Sequence, residues 1–181
     1  MRFLIGYSEH TSMITYEDIK KAAIELERKK EDCLYKCGKI IENFIEAYER
    51  SLAISGSPTF INASGNDERI VTLGVIEQNN FREISVNSLS FSEDFKIPFY
   101  IKTIVNCSSL HAPWVAIKCF VFREEDQSLI EIVSIEEKSS KVCRIANSHT
   151  LDVYNDACKA LKAIVLNAIK STYLIYESIN L

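Results

Sequence analysis

From Thr15 to Ser55 the chain contains no proline and a single glycine, Gly38, and its apolar residues recur at helical spacing. Ile19, Ala23, Leu26, Cys33, Cys37, Ile40, Phe44, Ala47 and Ile54 follow one another at steps of three, four or seven, with Lys30 and Ser51 as the two interruptions. Such spacing puts one apolar stripe along a helix. It predicts a single long N-terminal helix or, because ERKKED from Glu27 to Asp32 offers a core almost nothing, two nearly collinear ones. The start is marked by Thr15 and Asp18, a capping box with an acid in place of the usual Glu, and by Ile14 and Ile19 in hydrophobic-staple positions. Glu17 and Asp18 suit the positive end of the helix dipole. Gly56 and Pro58 mark the stop. About 40 residues at 1.5 Å each make a rod of roughly 60 Å, which either overhangs a small domain or meets another chain. A second copy is one partner such a stripe suits, although Ala, Cys, Lys and Phe are a poor coiled-coil seam; the plainer expectation is an amphipathic helix lying on one face of a sheet.

After Pro58 the period changes to alternation. Segments 58–62, 69–77, 81–91, 95–106, 114–123, 128–136 and 141–146 are rich in Val, Ile, Phe and Thr, and short polar breaks separate them. Connections of that length predict an antiparallel meander of six or seven strands. From Leu151 to Glu177 the helical period returns, with Tyr154, Ala157, Leu161, Ile164, Val165, Ala168 and Ile175 on one face. The chain therefore reads as α+β: a short strand from Arg2 to Tyr7, the long helix or helix pair, the meander sheet, and a long C-terminal helix packed on the sheet. No linker or repeat divides it, so residues 1–181 are expected to form one domain. The same order of elements occurs in helix-grip folds, an analogy of topology that fixes no function.

Composition narrows the function classes. The formal net charge is −4, and Lys20, Lys21, Arg28, Lys29 and Lys30 are interleaved with acids, which disfavours nucleic-acid binding through phosphate neutralisation. No apolar run reaches the roughly 20 residues of a membrane span, and MRFLIGY is too short for a secretory core, so a cytoplasmic location is expected. The six cysteines are expected to stay reduced, with no disulfide, metal or cofactor.

Cys33 and Cys37 lie one helical turn apart, but no CxxC or HxxxH supplies further ligands for zinc, and both fall on the apolar stripe. The loop NCSSLHAP, from Asn106 to Pro113, gathers Cys107 and His111, a thiol and an imidazole that form a nucleophile only within hydrogen-bond reach. A polar strand connection leading to Trp114 explains the same residues without chemistry. His10 with Ser12, and His149 with Thr150, do not make a duplicated His-x-Ser/Thr signature, because position 151 is Leu; Thr150 or Asp152 instead suits the cap of the last helix. Glu124, Glu125 and Asp126 form the densest charge run in the strand region. The simplest explanation is a solvated hairpin tip, and the functional one an acidic contact for a basic partner.

These features describe a small acidic cytoplasmic binding protein without catalytic activity. It would act by protein–protein recognition, as an inhibitor, immunity protein or adaptor, with Glu124, Glu125 and Asp126 as partner-binding residues and homodimerisation through the N-terminal helix as a further expectation. The alternatives are a helix-grip-like binder of an apolar small ligand and an enzyme built on Cys107 and His111.

Overall fold

The structure is a computed structural model. It describes residues 14–54, 58–62, 65–105, 113–134, 138–148 and 150–179, the last eight without their side chains. The expected strand at Arg2 to Tyr7 lies outside the described residues. Helix α1, Tyr16–Ser51, is one continuous helix. Contacts divide the chain within it, into residues 1–33 and residues 34–181.

In the first unit the capping box forms as the sequence predicts. The Thr15 backbone N–H donates to Asp18 Oδ2 at 2.9 Å, the Thr15 hydroxyl donates to the same oxygen at 2.7 Å, and the Asp18 N–H donates back to Thr15 Oγ1. These bonds hold the Asp18 carboxyl below its ordinary pKa. The staple does not close, because Ile14 and Ile19 are both largely exposed. ERKKED stays helical without a core contact. Glu25 pairs with Arg28 and Lys29, and Glu27 with Lys30, at the i,i+3 and i,i+4 spacings that support an isolated helix by a few tenths of a kcal/mol each.

In the second unit the remainder of α1 buries Cys37, Ile41, Phe44, Ala47 and Tyr48. The stop falls earlier than Gly56 and Pro58 suggest. Ala53 takes the left-handed conformation, with φ +49°, and donates its N–H to the Arg50 carbonyl. The Lys162 ammonium, from a distant part of the chain, donates to the Ser51 carbonyl at 3.1 Å and satisfies one of the last open acceptors of the helix.

The strands are β1 (Thr59–Ile61), β2 (Asp67–Arg69), β3 (Val71–Glu77), β4 (Asn80–Glu83), β5 (Ile97–Ile104), β6 (Trp114–Glu124), β7 (Gln127–Ser134) and β8 (Ser139–Ile145). β1 and β2 form a separate hairpin, and the other six make an antiparallel sheet in the order β4-β3-β5-β6-β7-β8. β5 to β8 pair in sequence. β4 instead lies outside β3, so the segment expected as a strand over 81–91 stops at Glu83, and the chain returns through a 3₁₀ turn, Val86–Ser88, capped by Ser85. Val86 reaches α1 at Gly38 on this return. A 3₁₀ turn at Leu151–Tyr154 leads into α2, Asn155–Ile179, which packs on β6, β7 and β8. Thr150 occupies the cap position before it, but its side chain makes no capping bond and meets Ser148 instead.

Register assigns the core. Ile97, Phe99, Ile101 and Thr103 of β5 stand opposite Val121, Cys119, Ile117 and Val115 of β6, and Ile130 and Ile132 continue the same face on β7. Tyr48 and Phe44 of α1 and Tyr154, Ala157, Cys158 and Leu161 are buried as well. Phe44 stacks on Tyr154 at 6.2 Å, and the Tyr48 hydroxyl shares a hydrogen bond with the Thr103 hydroxyl. Each fully buried apolar side chain contributes roughly 1.5–3 kcal/mol. The opposite face is shielded by its own side chains. Phe81 lies against Gly74, where any side chain would collide with the Phe81 ring and the Arg82 carbonyl. Lys102 sits over Phe81, Lys118 over Phe120, and Lys96 over Phe120 and Phe122.

Candidate functional site

Cys107 and His111 lie outside the described residues, as do His10, Ser12 and His149. Cys119, Cys143 and Cys158 carry no sign of an activated nucleophile. Cys33, Cys37, Cys119, Cys143 and Cys158 are not in disulfides, and all but Cys33 are buried. Burial pushes the Cys158 thiol up to about 11 and raises those of Cys119 and Cys143, the reverse of the depression a nucleophile needs. Among the described residues, no group of three or more His, Cys, Asp or Glu is arranged to hold a metal ion.

The acidic tip is the turn between β6 and β7. Glu124 pairs with Gln127 across it, Glu125 takes φ +53°, and Glu124, Glu125 and Asp126 are all exposed. Its surroundings are of mixed sign. Asp126 shares a cleft of about 320 Å³ with Lys36 and Lys39 of α1 and with Arg123. Arg123 follows Cys119 and Val121 on the core-facing side of β6, opposite Ser128. Its Nε is buried without a hydrogen-bond partner among the described residues. Alternation carried this signal in the sequence, since an arginine two residues after Val121 falls on the face that packs inward.

Exposed apolar side chains make the second candidate. Tyr16, Ile19, Ile24 and Leu26 of α1 are exposed, Ile19 at 60% and Leu26 at 54%. Ile19, Ala23 and Leu26 follow the spacing that, from Cys37 onward, delivers residues to the core. Phe95 is a third feature that the sequence reading missed. It is 72% exposed and left-handed at φ +56°. Its loop is held by the Ser92 N–H and hydroxyl donating to the Lys96 carbonyl and by the Phe95 N–H donating to the Ser92 carbonyl. An aromatic residue with positive φ is a conformational outlier, and such strain concentrates at functional sites.

Two further hollows lie among the described residues. One, of about 430 Å³, lies between α1 and β3 and is lined by Glu42, Glu46, Glu49 and Glu83 with Arg69. Three of these acids are already paired, with Lys39, Arg50 and Arg69. The other, of about 410 Å³, lies at the α2 end of the core and is mainly apolar, with Leu52, Ile54, Ile104, Val165 and Leu166 in its walls. On the opposite sheet face, Lys96 pairs with Glu131 and Lys102 with Glu68, so two of the three lysines that lie over its rings have an acid partner. No helix among the described residues is long and apolar enough to cross a membrane. The chain matches no protein-family model, and no curated protein or solved structure matches it either.

Proposed function

We propose that this protein is a non-catalytic binding protein that acts by protein–protein recognition, with the early turns of α1 as its main contact. The observation that carries this reading is the exposure of Ile19 and Leu26 at positions that continue the core spacing of the same helix. Scattered apolar residues on a surface need no explanation, but a row at core spacing that stays exposed among the described residues has the form of an interface. The exposed acids at Glu124, Glu125 and Asp126 would add charge selectivity for a basic partner. A cytoplasmic inhibitor, immunity protein or adaptor is the kind of molecule these features suit, and a second copy of the chain is one partner to be distinguished from a foreign one.

Leu26→Asp tests the reading. Because Leu26 is exposed, the melting temperature should stay within the range of a neutral surface change, while association should weaken at least tenfold. Sedimentation velocity detects loss of self-association, and native mass spectrometry of protein purified from its source detects loss of a foreign partner. Wild type that sediments as a monomer and carries no macromolecule would overturn the proposal. A retained apolar small molecule would favour a second reading, a ligand binder, which the hollow beside Leu52, Ile104, Val165 and Leu166 supports.

A further inference from the structure

Apart from Asp126, the cleft at Arg123 holds features that the proposed protein recognition does not use. Among the described residues, three cationic side chains, Lys36, Lys39 and Arg123, line it against one acid, Asp126. Lys39 is shared with Glu42 at 2.7 Å, and Lys36 also has a partner, so neither is a bare charge. Arg123 differs. It forms no ion pair among the described residues, and its Nε donor is buried without an acceptor. Leaving a buried donor unsatisfied costs roughly 1–3 kcal/mol, and more for a charged group. A packed sheet would avoid that cost by placing an apolar residue at this inward position. The surrounding wall supplies further polar groups: Asn43, which hydrogen-bonds the Tyr154 side chain, and Ser128, Asn147 and Ser148. About 320 Å³ is room for a small organic molecule.

We propose that this cleft binds a small anionic molecule through a terminal oxyanion, phosphate or carboxylate, seated on Arg123 with Lys36 and Lys39 completing its charge. The guanidinium fork matches both groups in two-pronged geometry, here through its terminal nitrogens, because Nε is buried out of reach of the cleft. Asp126 opposes the ligand, because it is the single acid among the described residues of the cleft. Its removal should therefore strengthen binding, while loss of Arg123 should abolish it. Those opposite signs separate an anion site from general damage to the fold.

The experiment is a titration of the full chain, followed by proton–nitrogen NMR at the Arg123 side-chain N–H, with inorganic phosphate and acetate as separate probes. Saturable movement of that resonance is expected with at least one of them; which one responds distinguishes phosphate from carboxylate ligands. Arg123→Lys keeps the charge but lacks the fork, and should weaken binding at least tenfold. Asp126→Asn should tighten it by about two- to fivefold. Circular dichroism confirms that each variant is folded. Should Arg123→Lys fail to fold, the wild-type titration and Asp126→Asn still decide. The proposal is overturned if neither probe gives saturable movement, if the shifts spread over all surface lysines, or if Asp126→Asn binds no more tightly than wild type. Asp126 also belongs to the acidic tip of the proposed partner contact, but the titration uses the chain alone with small probes and does not touch Ile19 or Leu26, so its failure and the failure of association through the early turns of α1 are distinguishable.

Discussion

At the scale of single residues, Phe95 carries the plainest backbone cost. Its left-handed backbone is strained for any side chain with a Cβ, and its ring, 72% exposed, recovers little by burial. Phe95→Gly should raise stability by about 1 kcal/mol, measured by urea denaturation. If the ring anchors a partner, the same variant should bind it less well; a loss of stability would instead mean that the ring packs on its own domain. Phe95 was illegible in the sequence because an alternating run, Phe95, Ile97, Phe99 and Ile101, makes it look like the first core residue of a strand. The strand starts only at Ile97, and the hydrogen bonds between Ser92 and Lys96 turn Phe95 away. The α1 stripe was legible in its period and blurred in its phase. Ile40 and Ile41 adjoin, as do Ala47 and Tyr48, and the sequence reading chose Ile40 and Ala47 where the core takes Ile41, Ala47 and Tyr48.

Among the elements, the ends were harder to read than the elements themselves. The change from a period of three and four to a period of two near Pro58, and back near Leu151, located the helices and the antiparallel sheet. The turns were less visible, because this chain makes several of them without glycine. Gln78 and Asn79 both take positive φ between β3 and β4, and Glu125 does so between β6 and β7. The left-handed residue that ends α1 is Ala53, a position where glycine carries no Cβ penalty. Ala53→Gly should therefore raise the thermal midpoint, corresponding to about 0.5–1 kcal/mol. Charge reversal at the β6–β7 turn gives a contrasting expectation. Replacing Glu124, Glu125 and Asp126 together by Lys should change stability by less than about 0.5 kcal/mol per site, since all three are exposed. Capture of a basic partner should slow, most visibly at low salt.

For the whole molecule, the buried titratable groups set the pH range of stability. Burial raises Tyr48 and Tyr154 above their ordinary value of 10.0, and Cys119, Cys143 and Cys158 above 9.0. Their stabilising contribution is complete below pH 9 and is lost progressively as pH rises through the folded-state values, because the unfolded chain gives up these protons first. On the acid side Lys102 holds Glu68, and Lys96 holds Glu131, below the ordinary 4.5, so their contribution is lost as pH falls through the lowered values. Denaturant midpoints measured across pH should form a plateau between those limits, with a fall above pH 9 that thiol-free variants soften. The partners of α1 also fix a sequence of events in time. Tyr48 meets Thr103 and Ser51 meets Lys162, 55 and 111 residues further along the chain. At roughly 5–20 residues per second, the ribosome releases Cys37, Ile41, Phe44 and Tyr48 on the order of ten seconds before α2 is made. A nascent chain of this design thus spends its first moments with its stickiest surface in water: an arrest of translation before β5 leaves Tyr48 without Thr103, and one before α2 leaves the end of α1 without Lys162.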